Sequence, residues 1–153
     1  MPIENFHLVS EWRVRAPVAR VYETLADLAT LAKFWPNVRV VGDGAAPEVV
    51  GRHAELRIKG ILPIALRADV EIVAAEPDRM LAVVSHGDLE GHGSWRFDER
   101  DGVTRARFTW DVELRQALLA RAARRLRRLL VLSHRWAMWR GERGLRRLLE
   151  PRN

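Results

Sequence analysis

Apolar and polar residues alternate along much of the chain, which is the pattern of half-buried β-strands. A first strand is predicted over residues 6–15 and a short one over 38–41, followed by a loop over 42–50. Further strands follow by the same period, at roughly 51–59, 65–75, 79–87, 91–100 and 103–114. After its first strand, the chain therefore predicts a six-stranded antiparallel meander.

Helical periodicity replaces this alternation in two regions. Pro17 suits a first helical turn, and a second short helix is predicted over 28–34, ending before Pro36. Residues 116–149 predict one long helix or two nearly continuous ones. One stripe of this segment is apolar or small, and it consists of Leu119, Ala122, Ala123, Leu126, Leu130, Ser133, Ala137, Gly141, Gly144 and Leu148.

This order of elements indicates an α+β fold, in which an antiparallel sheet carries a long C-terminal helix across one face. Two short helices follow the first strand. No repeat, low-complexity tract or linker divides the sequence, so residues 1–153 are expected to form a single domain.

In each strand the inward-facing side chains lie at either odd or even positions. A two-residue turn switches these positions between odd and even from one strand to the next, and a three-residue turn keeps them the same, so the inward positions predict the length of each turn. Two-residue turns are predicted at Pro77-Asp78 and Asp101-Gly102. A three-residue loop is predicted at 88–90, flanked by Gly87 and Gly91.

The stretch SHGDLEGHGSWRF at 85–97 raises the question of a metal site. The predicted register makes His86 and His92 cross-strand neighbours on the outer face, about 5 Å apart, with Asp88 and Glu90 at the turn. Two imidazoles that close could bind a transition metal. Without a third fixed ligand, we expect a solvated hairpin tip and no metal.

On the inward side of the same strands, the predicted register places small residues in the middle of the sheet. Ser85 is expected opposite Gly93, and Gly93 opposite Trp110. Facing them, the last helix carries the small residues of its stripe. Two interpretations fit equally well by spacing alone: a cavity walled by tryptophans, or close packing of helix on sheet around them.

Composition limits the chemistry. The chain has no cysteine, so disulfides and thiolate chemistry are excluded. The start, MPIENFHLV, lacks the pattern of a signal peptide, and no stretch reaches 18 apolar residues, so we expect a soluble cytoplasmic protein. No phosphate-binding glycine loop, HExxH motif or nucleophile elbow occurs.

Charge is concentrated at the C-terminal end. Residues 115–153 hold twelve arginines, no lysine and two acids, Glu142 and Glu150. An anionic membrane surface is a possible partner for this segment, through Arg121, Arg124, Arg125, Arg127 and Arg128. The alternative is a solvated helix face, and nucleic acid is not expected because no recognised nucleic-acid module is found.

The order and spacing of several motifs resemble the START-like (SRPBCC) superfamily, in its polyketide cyclase/dehydrase-like branch. The matching pieces are APVARVYETLAD, FWPNVRVV, VGRHAELRI, AAEPDRML, GDLEGHGSWRF, DGVTRARFTWDV and RGERGLRRLL. The resemblance implies a helix-grip fold, in which a curved sheet wraps the C-terminal helix around an apolar pocket. It implies a hydrophobic ligand, such as a lipid, isoprenoid, polyketide or aromatic compound, without a cofactor and without a defined reaction.

The chain departs from the family near the middle of its last helix. Relatives often carry Asn-His-Asp there, after a proline-broken entry to the helix. Here the pattern is Ser133-His134-Arg135, and residues 120–128 contain no proline. Only His134 matches the pattern of the relatives.

Binding of a hydrophobic molecule is the first functional hypothesis, and a cyclase/dehydrase-type enzyme in the same pocket is the second. A membrane-surface or protein-interaction module acting through the arginine-rich helix is the third. The candidate catalytic residues are Ser133, His134 and Arg140, of which His134 could be an ordinary helix histidine and Arg140 a side chain at the pocket mouth. The predicted pocket consists of Trp12, Tyr22, Ser85, Gly93, Trp95, Phe108, Trp110, Ser133, Ala137 and Gly141.

Overall fold

A curled antiparallel sheet forms most of the molecule in the computed structural model, which describes residues 5–44 and 46–151. In that part of the chain it has seven strands, in the order β1-β7-β6-β5-β4-β3-β2. They are β1 (Asn5–Val14), β2 (Val38–Gly44), β3 (His53–Lys59), β4 (Ala65–Glu76), β5 (Met80–Gly87), β6 (Leu89–Arg100) and β7 (Val103–Leu114). The meander is confirmed, and β1 lies beside its last strand.

Helices cover one face of the sheet. They are α1 (Val18–Ala26), a 3₁₀ helix (Leu28–Lys33), α2 (Ala117–Ala122) and α3 (Arg127–Leu149). The predicted α+β helix-grip fold is therefore confirmed. The strand bounds differ from the predicted ones by a few residues, and β2 reaches Gly44, into the predicted loop 42–50, whose residue 45 lies outside the described residues.

The C-terminal segment is two helices, separated at residues 123–126, and the break needs no proline. Ala123 is fully buried at the break, where it packs with Leu119 and Leu114. The predicted stripe holds through Gly141, but Leu148 is 52% exposed, whereas Leu145 and Leu149 are buried. Because the sheet is curled, the face of α3 that meets it rotates along the helix, which a straight stripe does not reproduce.

The β6–β7 hairpin has the predicted two-residue turn. Asp101 and Gly102 have φ angles of 53° and 79°, and positive φ at both central residues is the signature of a type I′ turn. The register that follows places Gly93 opposite Trp110, as predicted.

The β4–β5 turn differs from the prediction. Glu76 pairs with Met80, so the turn has three residues, 77–79, with Asp78 at a φ of 63°. A register shift between Ile72 and Ala74 compensates for the extra residue. The inward parity of both strands therefore survives, although the two-residue turn at Pro77-Asp78 was wrong.

The β5–β6 register is also corrected. Ser85 pairs with Gly91, and Gly93 pairs with Val83, a shift of two residues from the prediction. The three-residue loop at 88–90 was wrong, because Leu89 already belongs to β6, where it is buried and pairs with Leu114 of β7. Since the shift is even, each side chain keeps its predicted face.

The same shift separates His86 from His92. His92 pairs with Val84, and His86 lies 3.1 Å from the Glu90 carboxylate. The tip of the β5–β6 hairpin, which was predicted to be solvated, is hydrogen-bonded to β4. The Asp88 carboxylate accepts a hydrogen bond from the Arg67 N–H at 2.9 Å. Among the described residues, no three histidine or acidic side chains are grouped to hold a metal ion.

Both acids of the basic C-terminal segment anchor the β1 edge of the sheet. Glu142 accepts a hydrogen bond from the Arg13 N–H at 2.9 Å, and Glu150 accepts one from the Arg15 N–H at 2.8 Å. Arg146 donates to the Arg13 carbonyl at 2.7 Å. These bonds hold α3 across the sheet and satisfy edge groups that would otherwise be open to pairing.

Candidate ligand cavity

Two small cavities lie between the sheet and α3. The inner cavity measures about 90 Å³ and the end cavity about 100 Å³. Most inner-cavity residues are apolar, and the lining is Leu25, Leu28, Leu31, Trp35, Val38, Leu56, Ile58, Val70, Ile72, Leu81, Val83, Ser85, Trp95, Phe108, Trp110, His134, Ala137 and Met138. The end cavity is lined by Phe6, Leu8, Ile58, Gly60, Leu66, Leu89, Trp110, Val112, Leu114, Leu130, Ser133, His134 and Ala137.

Four residues line both cavities, and together they are called the dividing wall: Ile58, Trp110, His134 and Ala137. The rings of Trp110 and His134 approach with their centroids 5.9 Å apart. Trp35 fixes the helix beside the wall, because its Nε1–H donates to the Ala137 carbonyl at 2.8 Å.

The two serines that line the cavities already have hydrogen-bond partners. The Ser85 hydroxyl donates to the Leu89 carbonyl at 2.7 Å, and the Ser133 hydroxyl accepts from the Ile61 N–H at 2.8 Å. By contrast, the Trp110 Nε1 and His134 Nε2 atoms are buried and have no partner among the described residues. A buried polar group without a partner costs about 1–3 kcal/mol, so both atoms are poised to bind a polar group.

Among the described residues that line the two cavities, His134 is the one titratable side chain. Burial lowers the pKa of His134 from 6.5 to about 4, because the charged imidazolium loses hydration in this apolar wall. The ring is therefore neutral at neutral pH, with one nitrogen able to donate and the other able to accept a hydrogen bond.

Six of the ten predicted pocket residues line a cavity in the structure, and they are Ser85, Trp95, Phe108, Trp110, Ser133 and Ala137. Trp12, Tyr22, Gly93 and Gly141 lie outside both cavities, and the ligand contacts of all ten residues stay a prediction. Tyr22 packs edge-on against Phe97 and borders an outer groove with Arg52 and His53.

Close packing explains the position of the two glycines. A Cβ on Gly141 would lie 2.6 Å from the Trp35 ring and 2.8 Å from the Trp12 ring, closer than real contacts allow. A Cβ on Gly93 would lie 3.0 Å from both Phe108 and the Thr109 carbonyl oxygen. Each interpretation of the small residues therefore applies to a different part of α3. A cavity lies beside Ala137, whereas helix and sheet pack closely at Gly141.

The candidate catalytic residues are not gathered at one point. Arg140 lies outside both cavities, with its guanidinium 5.0 Å from the Trp136 ring centre. The Ser133 hydroxyl accepts a hydrogen bond from the Ile61 N–H. His134 is the candidate with a buried nitrogen that has no hydrogen-bond partner among the described residues.

Most lining residues that sequence reasoning missed come from α1, the 3₁₀ helix and strands β2 to β5. Alternation along β4 puts Val70 and Ile72 on one side of the strand, which is the side that faces the inner cavity. Nothing in the sequence placed Leu28, Leu31 or Trp35 beside the cavity that α3 also lines, because that arrangement depends on how the helices fold back over the sheet.

No helix in residues 5–44 and 46–151 is long and apolar enough to cross a membrane. The exposed arginines Arg121, Arg124, Arg125 and Arg128 surround the α2–α3 break and form no ion pair with another described residue. Leu118, on α2, is 67% exposed. Arg127 differs from these arginines, because its guanidinium lies 4.7 Å from the centre of the Phe6 ring, which lines the end cavity.

Comparison with known proteins gives one family and many structural neighbours. The model of a family described as polyketide cyclase / dehydrase and lipid transport matches residues 5–148. No curated protein matches the sequence significantly.

Solved structures reproduce the fold at low sequence identity. The Zhui aromatase/cyclase of Streptomyces sp. R1128 is 19% identical, with a TM-score of 0.67 over 96% of this chain and 98% of that one. A protein of Thermus thermophilus is also 19% identical, with a TM-score of 0.67 over 92% of this chain and 97% of its own. The di-domain ARO/CYC BexL from the BE-7585A biosynthetic pathway is 17% identical, with a TM-score of 0.72, and the match covers 97% of this chain and 51% of BexL.

Proposed function

Because the chain belongs to the polyketide cyclase/dehydrase and lipid transport family, we propose that it binds a hydrophobic small molecule between its sheet and α3. The observation that carries this proposal is the pair of apolar cavities on either side of the dividing wall. Largely apolar linings with few polar groups are typical of small-molecule sites. A lipid, isoprenoid, polyketide or aromatic compound has the required chemistry.

Ala137→Leu tests the proposal, because Ala137 lines both cavities and a larger side chain there occupies the space that a ligand would need. We expect wild-type protein to bind N-phenyl-1-naphthylamine, with a rise in the probe's fluorescence, and Ala137→Leu to lose most of that binding. Overpacking costs about 1–3 kcal/mol, so the variant's fold is checked by circular dichroism.

Ala117→Leu is the matched control, because it makes the same chemical change at an exposed position of α2. It should bind the probe like the wild type. Equal probe binding in folded Ala137→Leu, or no binding by the wild type, would overturn the cavity function.

A cyclase/dehydrase-type reaction in the same space is a second candidate, favoured by His134. A cyclisation needs a base or a hydrogen-bond donor beside the reacting carbonyl, and the neutral imidazole could supply either. Incubation with a linear polyketide should then give a cyclic product lighter by one water, and His134→Phe should abolish it. Identical product formation with and without protein would exclude this candidate for that substrate.

Docking on an anionic membrane is a third candidate, favoured by the position of the basic residues. The exposed arginines lie on the segment whose Leu119 and Ala123 pack in the same cluster as Leu89 and Leu114, which line the end cavity. Exposed apolar and basic side chains together are the features of interfacial segments. A ligand carried in the cavities could thereby be exchanged with the bilayer.

A further inference from the structure

The dividing wall restricts which ligands can occupy the molecule. Drug-sized ligands occupy pockets of about 300–1,000 Å³, whereas the cavities measure about 90 and 100 Å³. A ligand too large for one cavity reaches the other across the dividing wall, so its middle lies against Trp110 and His134. This step rests on the proposed binding function.

The chemistry of the wall is unlike that of the rest of the lining. The indole nitrogen of Trp110 only donates a hydrogen bond, while the Nε2 atom of neutral His134 accepts or donates according to its tautomer. Both nitrogens are buried without a partner among the described residues, and their rings are 5.9 Å apart between centroids. Because both rings line both cavities, a ligand that passes the dividing wall lies against both of them.

We propose that Trp110 Nε1–H and His134 Nε2 together recognise an uncharged hydroxyl or carbonyl oxygen in the middle of an otherwise apolar ligand. A hydroxyl accepts from Trp110 and either donates to or accepts from His134. A carbonyl accepts from both when His134 carries its proton on Nε2. The pair thus selects an oxygenated molecule over a pure hydrocarbon of the same shape.

The lining excludes a charged head group at this position. No arginine, lysine, aspartate or glutamate is among the described residues that line either cavity. A carboxylate would lose its hydration without gaining a cationic partner, which is strongly unfavourable. Trp12 Nε1 is also buried without a partner among the described residues, but it borders neither cavity and plays no part in the selection.

Three naphthalenes of matched shape test the proposal by isothermal titration: 2-naphthol, 2-methylnaphthalene and 2-naphthoate. Replacing hydroxyl by methyl changes hydrogen bonding at nearly constant size. Because the hydroxyl of 2-naphthol can pair with two buried groups that 2-methylnaphthalene leaves without partners, we expect 2-naphthol to bind about tenfold more tightly than 2-methylnaphthalene. The 2-naphthoate anion should bind more weakly than 2-naphthol.

His134→Phe and Trp110→Phe each remove one of the two polar groups and should each reduce the preference for 2-naphthol several-fold. Trp95→Phe is the matched control: it removes an indole from the inner-cavity lining, but not one of the buried unpartnered nitrogens. It should keep the preference, whatever its effect on absolute affinity.

The outcomes separate this inference from the function on which it rests. If 2-naphthol and 2-methylnaphthalene bind the wild type equally, or if the preference persists in both wall variants, the inference is overturned and the cavity function stands. If neither compound binds the wild type, the cavity function fails and the inference falls with it. If one wall variant fails to fold, the other wall variant and the wild-type comparison still test the inference.

Discussion

His134 shares with Trp110 the polar chemistry of the dividing wall, and among the residues that line the cavities it is the one whose charge changes with pH. Its Nε2 atom is buried without a partner among the described residues, and the lining around the ring is otherwise almost wholly apolar. Keeping this ring neutral lets it exchange hydrogen bonds with an uncharged ligand, while protonation would place an unpaired charge in the wall. The same burial that tunes the site therefore links the stability of the protein to pH.

Stability should fall below neutral pH because of His134. Its pKa is about 4 in the folded protein and 6.5 ordinarily, so between these values the unfolded chain binds a proton that the folded chain does not. The free energy of unfolding then rises with pH across this window and is fully recovered above 6.5. Wild type should lose about 3 kcal/mol more than His134→Phe between pH 7 and 4, as measured by urea denaturation.

His53→Phe is the control for this measurement, since it removes an exposed histidine from β3. Its pH dependence should follow that of the wild type. Parallel curves for wild type and His134→Phe would show that the imidazole is not held neutral by the fold.

At the scale of elements, turns and registers decide which side chains meet across the sheet. The type I′ turn at Asp101-Gly102 fixes the β6–β7 register and with it the pairing of Gly93 with Trp110. The β4–β5 turn is one residue longer than predicted, and the register shift near Ile72 offsets it. The side chains predicted to face inward therefore still do so. The wall therefore depends on a turn that only residues tolerant of positive φ can form.

Gly102→Ala should lower the free energy of unfolding by about 1 kcal/mol, since a Cβ is disfavoured at a φ of 79°. For a chain of this size, that corresponds to about 2–4 °C in Tm by calorimetry. Gly42→Ala is the matched control, because Gly42 also has open space around its Cα and is not at positive φ. If both variants melt at the same temperature, backbone conformation at the turn is not the cause.

At the scale of the whole molecule, charge is divided between two surfaces. The acids of the C-terminal segment, Glu142 and Glu150, accept hydrogen bonds from backbone N–H groups at the β1 edge. Arg121, Arg124, Arg125 and Arg128 remain exposed around the α2–α3 break without ion pairs among the described residues. The proposed membrane docking would act through these charges, whose field salt screens over about 8 Å.

Replacing Arg124, Arg125 and Arg128 together by Gln should weaken sedimentation with phosphatidylserine-containing vesicles. Each arginine near the bilayer contributes about 1 kcal/mol, so the loss should be about a hundredfold. Wild-type binding should also fall as salt is added, and vesicles of phosphatidylcholine alone should bind weakly. Arg39, Arg79 and Arg100, also exposed, make a matched control triple. Wild-type protein that ignores anionic vesicles at low salt would remove the membrane candidate.

Local patterns determined the elements and the faces of the strands. Alternation identified the strands, and parity placed Trp95, Phe108 and Trp110 on the inner face, because side-chain direction in a strand has a period of two. The motif resemblance identified the family and fold. The register between β5 and β6 escaped this reasoning, because a shift of two residues leaves every face unchanged.

Only the tertiary structure decided where space remains inside the molecule. The sequence alone could not separate cavity from close packing along α3, since Ala137 and Gly141 are both simply small. Trp12 and Trp35 fill the space at Gly141, while the side chains around Ala137 leave a void on each side of the wall. Cavities are what is left when helices and a curled sheet settle against one another, so they depend on contacts between residues far apart in the chain.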